Sequence, residues 1–337
     1  MGERTLDLRL SWLAAGCWLA ACQPLPVPSN PPDPSPAPQH VGAAPGPALT
    51  FTVEAKELLR GRALSALKIE VDGVRAEPGP NGTWRAAVAP ADRHTVRVGR
   101  QSYLTSTYQG PLVEGACLQA QLCPTGIRVV AFGDSLTAGL KVDLADRFLM
   151  KLEARLQSAR PGFWVDFRDA GRSGDTYESA LDRVTDDVLN ANPDLTFVEF
   201  GTNDAFKTRL ADFPDSVDAL LAPIVQVSPR VLVADIPYKP RWYGDWNDHT
   251  APYNRAIAEV AARNGARLVS FSQAFRKAAQ GGQWDLFYHE EPYDTTKPDT
   301  VSQGDLHPNA EGNELMAETL GDAILSVTEP SIGLKQP

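Results

Sequence analysis

The alternation of apolar and polar positions changes character along the chain. From Leu10 to Ala21 the side chains are apolar almost without a break. Twelve helical residues rise about 18 Å against a bilayer core of about 30 Å, so this run predicts a signal-peptide h-region and not a membrane span. Between Ala48 and about Gly115 short runs alternate with period two: LTFTVEA, LKIEVDG, TWRAAVA, HTVRVG and YLTSTY. They predict the strands of a small β-sandwich, with a hairpin turn at Asn81-Gly82. From Ile127 the texture shifts again. The apolar runs IRVVAF, FWVDFR, LTFVEF, VLVADI and RLVSF alternate with helical stretches near Leu144 to Leu156, Tyr177 to Leu189, Asp215 to Val227 and Tyr253 to Asn264. A last helix is expected near Asn309 to Val327. Strands that read as continuous apolar runs are buried on both faces, which predicts a parallel sheet between two helical layers.

Composition sharpens this division. Ten of the 28 prolines fall between Gln23 and Pro47, where there is no Lys or Arg. That composition predicts a stiff, extended linker and not packed structure. The formal charge of -10 argues against a nucleic-acid partner, because phosphate binding needs clustered cations. The expected order is a signal at 1–21, a linker at 22–47, a β module at 48–125 and an α/β region at 127–328.

The apolar run ends in Leu19-Ala20-Ala21-Cys22, which resembles a bacterial lipobox. The resemblance implies cleavage before Cys22, lipid on its sulfur, and a protein of the cell envelope held to the membrane by that lipid only. Plain secretion is the alternative. Cys117 and Cys123 then remain as an even pair, expected to close a small disulfide loop in an oxidising compartment; two free thiols are the alternative. A metal site would need further Cys or His nearby, and none is expected.

Chemistry concentrates where predicted strands end, which is where open parallel sheets carry their sites. The first strand runs into Gly133-Asp134-Ser135-Leu136-Thr137-Ala138-Gly139, the second into Gly171-Arg172-Ser173-Gly174-Asp175-Thr176, and the third into Gly201-Thr202-Asn203-Asp204. Near the C-terminus stands Asp305-Leu306-His307-Pro308-Asn309. Ser135, in a turn between glycines, is a candidate nucleophile, and a serine hydroxyl needs a base, for which His307 is the candidate. The Ser135 N–H, the Gly174 N–H and the Asn203 amide are candidate oxyanion donors. Gly-x-Ser-x-Gly is absent around Ser135, and so are complete phosphate-loop and dinucleotide fingerprints.

The blocks GDSLTAG, GRSGDT, GTND and DLHPN resemble those of the GDSL esterase/lipase family, also called SGNH hydrolases, over roughly Ile127 to Val327. The resemblance implies a flavodoxin-like three-layer α/β/α sandwich. It also implies a serine carboxylic-ester hydrolase with Ser135 as nucleophile, His307 as base, Ser135, Gly174 and Asn203 in the oxyanion hole, and no cofactor. The family's acid lies three residues before the histidine, where this chain has Gly304, so Asp305 is assigned to orient His307, with Asp299 or a backbone carbonyl as alternatives. Asp169 replaces the usual Asn of the second block and is expected to support its loop, as are Asp134 and Asp204 for theirs. Expected substrates are carbohydrate O-acetyl esters, short-chain lipid esters or lysophospholipids; a catalytically degenerate surface binding protein is the other reading. His40, His94, His249 and His289 are read as solvated or packed residues in the spacer, the β module and long loops. Trp242, Tyr243 and Trp246, with Trp284, Tyr288 and Tyr293, lie in two long segments, Tyr238 to Tyr253 and Gln273 to Gly304, and either line a substrate pocket or pack those segments down.

Overall fold

The computed structural model describes residues 48–239, 245–288 and 306–335. The signal, Cys22, the proline-rich linker, Trp242, Tyr243, His289, Tyr293, Asp299 and Asp305 lie outside the described residues. The first strands are β1 (Ala48–Glu57), β2 (Lys68–Val71), β3 (Val74–Arg75), β4 (Glu77–Pro78), β5 (Thr83–Ala87), β6 (His94–Gly99), β7 (Ser106–Gly110) and β8 (Cys117–Leu122). Then come β9 (Gly126–Gly133), α1 (Phe148–Ala159), β10 (Trp164–Gly171), α2 (Tyr177–Ala180), α3 (Val184–Asp187), β11 (Leu195–Glu199) and α4 (Asp204–Lys207). They are followed by α5 (Phe213–Val227), β12 (Val231–Ala234), α6 (Trp246–Arg263), β13 (Arg267–Val269), α7 (Phe271–Gln280), α8 (Ala310–Val327) and β14 (Ser331–Leu334).

Five strands form an all-parallel sheet in the order β10-β9-β11-β12-β13. This is the doubly wound order, whose direction of winding reverses between β9 and β11. The period-two rule sorts the strand side chains into two cores. Ile127, Val129 and Ala131 of β9 join Phe197 and Leu232 against α1, α7 and α8. Val130 and Phe132 turn the other way and meet Val198 and Val233 against α2, α3, α5 and α6. Each fully buried phenylalanine here contributes roughly 1.5–3 kcal/mol, so the sheet is clamped from both faces. The three-layer architecture expected from the apolar runs is the one observed.

The N-terminal strands form two sheets, β14-β8-β1-β5-β4 and β3-β2-β6-β7, which enclose Phe51, Val53, Ile69, Val71, Val96, Val98, Leu118 and Ala120. Asn81 (φ 55°) and Gly82 (φ 75°) turn β4 into β5 through left-handed backbone, as the Asn-Gly pair predicts. Two features depart from expectation. β14 crosses back from the C-terminus to pair antiparallel with β8, and Ser-Ile-Gly-Leu is too short and too poor in β-branched residues to announce a strand. Cys117 and Cys123 are free thiols, not a disulfide. They flank a fully extended strand, and six residues of strand span about 20 Å, whereas a disulfide needs Cα atoms within about 7 Å. Cys123 is instead packed into the core beneath the parallel sheet, where burial pushes its thiol pKa up to about 12.

The described residues belong to one compact unit. Leu59 and Cys123 enter the apolar core of the parallel sheet. Arg60 bonds Asp194 Oδ1 through Nη2 at 2.9 Å, and Arg230 donates to the Leu58 carbonyl at 2.9 Å. Among the described residues no helix is long and apolar enough to cross a membrane.

Candidate active site

The loops that follow β9, β10 and β11 meet at the point where the winding reverses. β9 ends at Gly133, and a Cβ there would collide with Thr137 and the Glu199 carbonyl, so only glycine lets the chain turn this tightly. No helix starts at Ser135. A series of turns carries the chain to Leu140, whose N–H donates to the Ser135 carbonyl at 3.0 Å. Asp134 holds the turn through an Asx-type bond, its Oδ1 accepting from Leu136 N–H at 2.8 Å.

His307 reaches Ser135 from 172 positions away, Nε2 to Oγ at 2.9 Å. Its backbone is fixed from both sides. Tyr288 N–H donates to the His307 carbonyl at 3.0 Å, and Asn309 caps α8 by accepting from Gly312 N–H at 3.0 Å. Asn313 ties this corner to α1: its Nδ2 donates to the Pro308 carbonyl, and its Oδ1 accepts from Phe148 N–H, one of the unpaired donors at that helix start. An imidazole whose Nε2 accepts from a serine hydroxyl has its Nδ1 left for a ring proton.

The second loop presents Gly174 in the left-handed region, φ +86°, where a side chain would be strained. Lys207 Nζ donates to the Gly174 carbonyl at 2.7 Å and so sets the plane of the peptide that follows. Asp169 supports this loop as expected, accepting from Gly171 N–H at 2.9 Å. Asn203 leans against both neighbours: its Nδ2 donates to Asp134 Oδ2 and to the Asp175 carbonyl, each at 3.0 Å. Asp204 accepts from Tyr177 N–H at 3.2 Å and from the Thr208 hydroxyl at 3.3 Å. Four sequence blocks that lie far apart in the chain are thus brought together, whereas Asp305 lies outside the described residues.

Three contributors escaped the sequence reading. Glu199, the last residue of β11, is buried behind the serine turn and accepts from the Thr137 hydroxyl at 2.8 Å. Its signal was a lone acid in the apolar run LTFVEF. Arg183, between α2 and α3, donates to the Gly133 and Ala170 carbonyls at 2.9 and 2.7 Å and pairs with Asp175 and Asp187. It fastens the ends of β9 and β10 together. Lys207 is the third. His94 is buried on Asp72 at 2.7 Å, and His249 sits on α6, not in a loop, with Nε2 at 2.7 Å from the Ala205 carbonyl. Both are structural, as expected. Trp246 opens α6 and packs on Phe206, ring centroids 5.1 Å apart.

Burial raises the acids behind the site. Glu199 is pushed up to about 7 and Asp204 to about 6, while Asp134 rises well above its ordinary value through burial and the charge of Glu199. The native state therefore holds protons that the unfolded chain releases at lower pH. Between the ordinary carboxylate range and pH 7 stability falls as pH rises, and it levels off above the folded values. Denaturant unfolding is expected to give a more stable protein at pH 5 than at pH 7.5; equal stability would contradict these shifts.

The match to known proteins follows the same residues. The model of the GDSL-like Lipase/Acylhydrolase family matches residues 131–315, more than half of the chain. A protein of Bacillus subtilis (strain 168) named uncharacterized lipoprotein YqeF is 39% identical over 77 residues, which is 23% of this chain and 32% of that relative. A lipase/acylhydrolase structure from Enterococcus faecalis is 21% identical, covers 62% of this chain and 99% of its own, and superposes with a TM-score of 0.48. The acetylxylan esterase Axe2 of Geobacillus stearothermophilus is 15% identical, covers 60% of this chain and 94% of its own, and gives 0.47. Because the family match runs from inside the strand that leads into Ser135 to the helix that follows His307, the chain belongs to the GDSL-like lipase/acylhydrolase family.

Proposed function

We propose that this chain is a serine esterase that cleaves small or medium acyl esters through an acyl-enzyme on Ser135. The reading is carried by the 2.9 Å contact between His307 Nε2 and Ser135 Oγ. Nε2 takes the hydroxyl proton as Oγ attacks the ester carbonyl carbon, and the former carbonyl oxygen becomes an oxyanion held by the Ser135 N–H, the Gly174 N–H and Asn203 Nδ2. As the C–O bond to the alcohol breaks, His307 returns the proton to the leaving oxygen. Water then repeats the sequence: it gives a proton to His307, attacks the acyl carbon, and releases the carboxylate and the free serine. Asp305 is the group assigned to hold the Nδ1 proton.

Exposed apolar side chains on the segments that follow Ser135 and Asn203 support a substrate with an apolar part. Phe206, three residues after Asn203, is 62% exposed, and Leu140 and Leu144 after the serine turn are exposed as well. Apolar side chains on α4 and on the segment after the serine turn suit an acyl chain or the carbon skeleton of the alcohol half. A lipid on Cys22 would hold the enzyme in the cell envelope, and the name of the Bacillus subtilis relative agrees with that anchor. Turnover of p-nitrophenyl acetate through octanoate, acetylated xylan and lysophospholipid tests the reading. Hydrolysis of at least one class is expected; inertness towards all of them would favour a surface binding protein that has kept only the fold.

A further inference from the structure

The rim of the serine site carries a cation that the proposed mechanism does not use. Lys207 ends α4, four residues after Asn203; it is exposed, and its Nζ donates to the Gly174 carbonyl at 2.7 Å. The same ammonium borders the open side of Gly174. Among the described residues, and apart from its chain neighbours, a Cβ built on that glycine would come within 4 Å of Nζ only, at 3.8 Å. Gly174 is the proposed oxyanion donor of the second loop, so a seated positive charge lies beside the space next to that donor. An ammonium has three N–H groups, and the Gly174 carbonyl takes one. Among the described residues no acid pairs with Lys207, which leaves its charge and two donors for a group that arrives from outside.

The other charges of these loops do not cancel it. Asp175 is taken by Arg183 Nε at 2.6 Å, and Asp204 turns to Tyr177 N–H and the Thr208 hydroxyl. Asp134 and Glu199 are buried beneath the serine turn, where each meets hydrogen-bond donors. Arg172 adds a second exposed cation. Its backbone N–H donates to the Gly133 carbonyl at 2.9 Å, which holds its backbone against the start of the serine turn, and no acid among the described residues pairs with its guanidinium. Glu178 on α2 is exposed and bonds neither cation. The whole chain is acidic, with a formal charge of -10. That field is screened over about 10 Å at 0.1 M salt, so at contact distance the local cations outweigh it.

We infer that Lys207, supported by Arg172, recognises a negative charge on the substrate, so that the esters this site prefers carry a carboxylate or a phosphate close to the scissile bond. The inference rests on the esterase reading and narrows it. Exposed Phe206 precedes Lys207 in the chain, so neighbouring residues meet an apolar and an anionic part of one molecule. A uronate-bearing O-acetyl polysaccharide and an anionic lysophospholipid each offer the charge; uronate-free xylan and monoacylglycerol do not. Lys207 takes no proton in the reaction. Its pairing with the anion is made in the bound substrate and kept in the transition state, which places the effect in KM more than in kcat.

Substrate pairs that differ in charge test it: acetylated polygalacturonate against uronate-free acetylated xylan, lysophosphatidylglycerol against monoacylglycerol, and 4-acetoxybenzoate against 4-acetoxybenzamide. At low salt the wild-type kcat/KM is expected to favour the anionic member of each cleaved pair by about tenfold, and about 0.5 M sodium chloride to erase most of that preference. Cleavage within the polysaccharide pair or the lipid pair tells a sugar carboxylate from a lipid phosphate. Lys207→Met is expected to lower the anionic-to-neutral ratio about tenfold, Lys207→Glu to reverse it, and Lys207→Arg to keep it within about threefold. Arg172→Gln lowers the ratio less than Lys207→Met. A lysine that only braced the Gly174 loop would, when replaced, slow both members of a pair together. Neutral members cleaved as well as anionic ones by the wild type, or a ratio unchanged in Lys207→Met, overturns the inference and leaves the esterase reading standing. The wild-type comparison holds even where the variants fail to fold. Inertness of the wild type towards every pair sinks both readings.

Discussion

Replacing Ser135 with alanine is expected to lower kcat/KM for any cleaved ester by about four orders of magnitude or more while leaving the fold intact. The reasoning starts from the turn. Ser135 is nearly buried, yet among the described residues its side chain bonds only to His307, and its backbone carbonyl is held by Leu140 N–H whatever the side chain. Alanine therefore removes one oxygen without disturbing Gly133, Asp134 or the strand behind them. On the proposed mechanism, what disappears is the atom that becomes covalently attached to substrate, and the residual rate reports only what the oxyanion donors and binding achieve with water. Circular dichroism and the unfolding midpoint should match wild type. A variant that keeps more than about a tenth of the wild-type rate would rule Ser135 out as nucleophile.

Asn203→Ala carries the next largest effect, an expected loss of about 10²–10³-fold in kcat with KM little changed. Both protons of the Asn203 amide are engaged in the resting protein, one on Asp134 and one on the Asp175 carbonyl. The carboxyl is the stronger acceptor, so the proton on Asp175 is the one free to move to the oxyanion as negative charge develops there. The exchange costs little, because a neutral acceptor gives way to a charged one only in the transition state, which places the effect in kcat. Asn203→Asp should be worse than alanine, since it sets a third acid beside Asp134 and Glu199 and opposes the oxyanion directly. If the two variants were equally active, or if the loss fell in KM alone, Asn203 would be a loop brace and nothing more.

Much of this was legible in the sequence, for physical reasons that also explain what was not. Continuous apolar runs such as IRVVAF and LTFVEF announced strands buried on both faces, and glycines at their ends announced where the chain must turn. Local turn chemistry was readable too, as Asn81-Gly82 and the Asx bond of Asp134 show. Helix continuity was less so: the stretch expected to run from Tyr177 to Leu189 is broken around Arg183, which leaves the helical path to fasten two strands. α6 begins at Trp246, seven residues before the expected start, and carries Pro252 in its interior. α7 was not anticipated, although Phe271, Phe275 and Ala279 recur at helical spacing on its buried face. The remaining omissions are contacts between residues far apart in sequence. Glu199 meets Thr137 across 62 positions and Arg183 meets Gly133 across 50, and no periodicity encodes either. The disulfide expectation failed in the same way, because an even pair of cysteines says nothing about the strand between them.

The central claim is that Ser135, activated by His307, is the nucleophile, and covalent trapping tests it most directly. Wild type, Ser135→Ala and His307→Ala would be treated with a fluorophosphonate ester and mapped by peptide mass spectrometry. A single adduct on Ser135 in the wild type, none in Ser135→Ala and strongly slowed labelling in His307→Ala is the expected result; an adduct on another residue, or none while ester turnover continues, would contradict it.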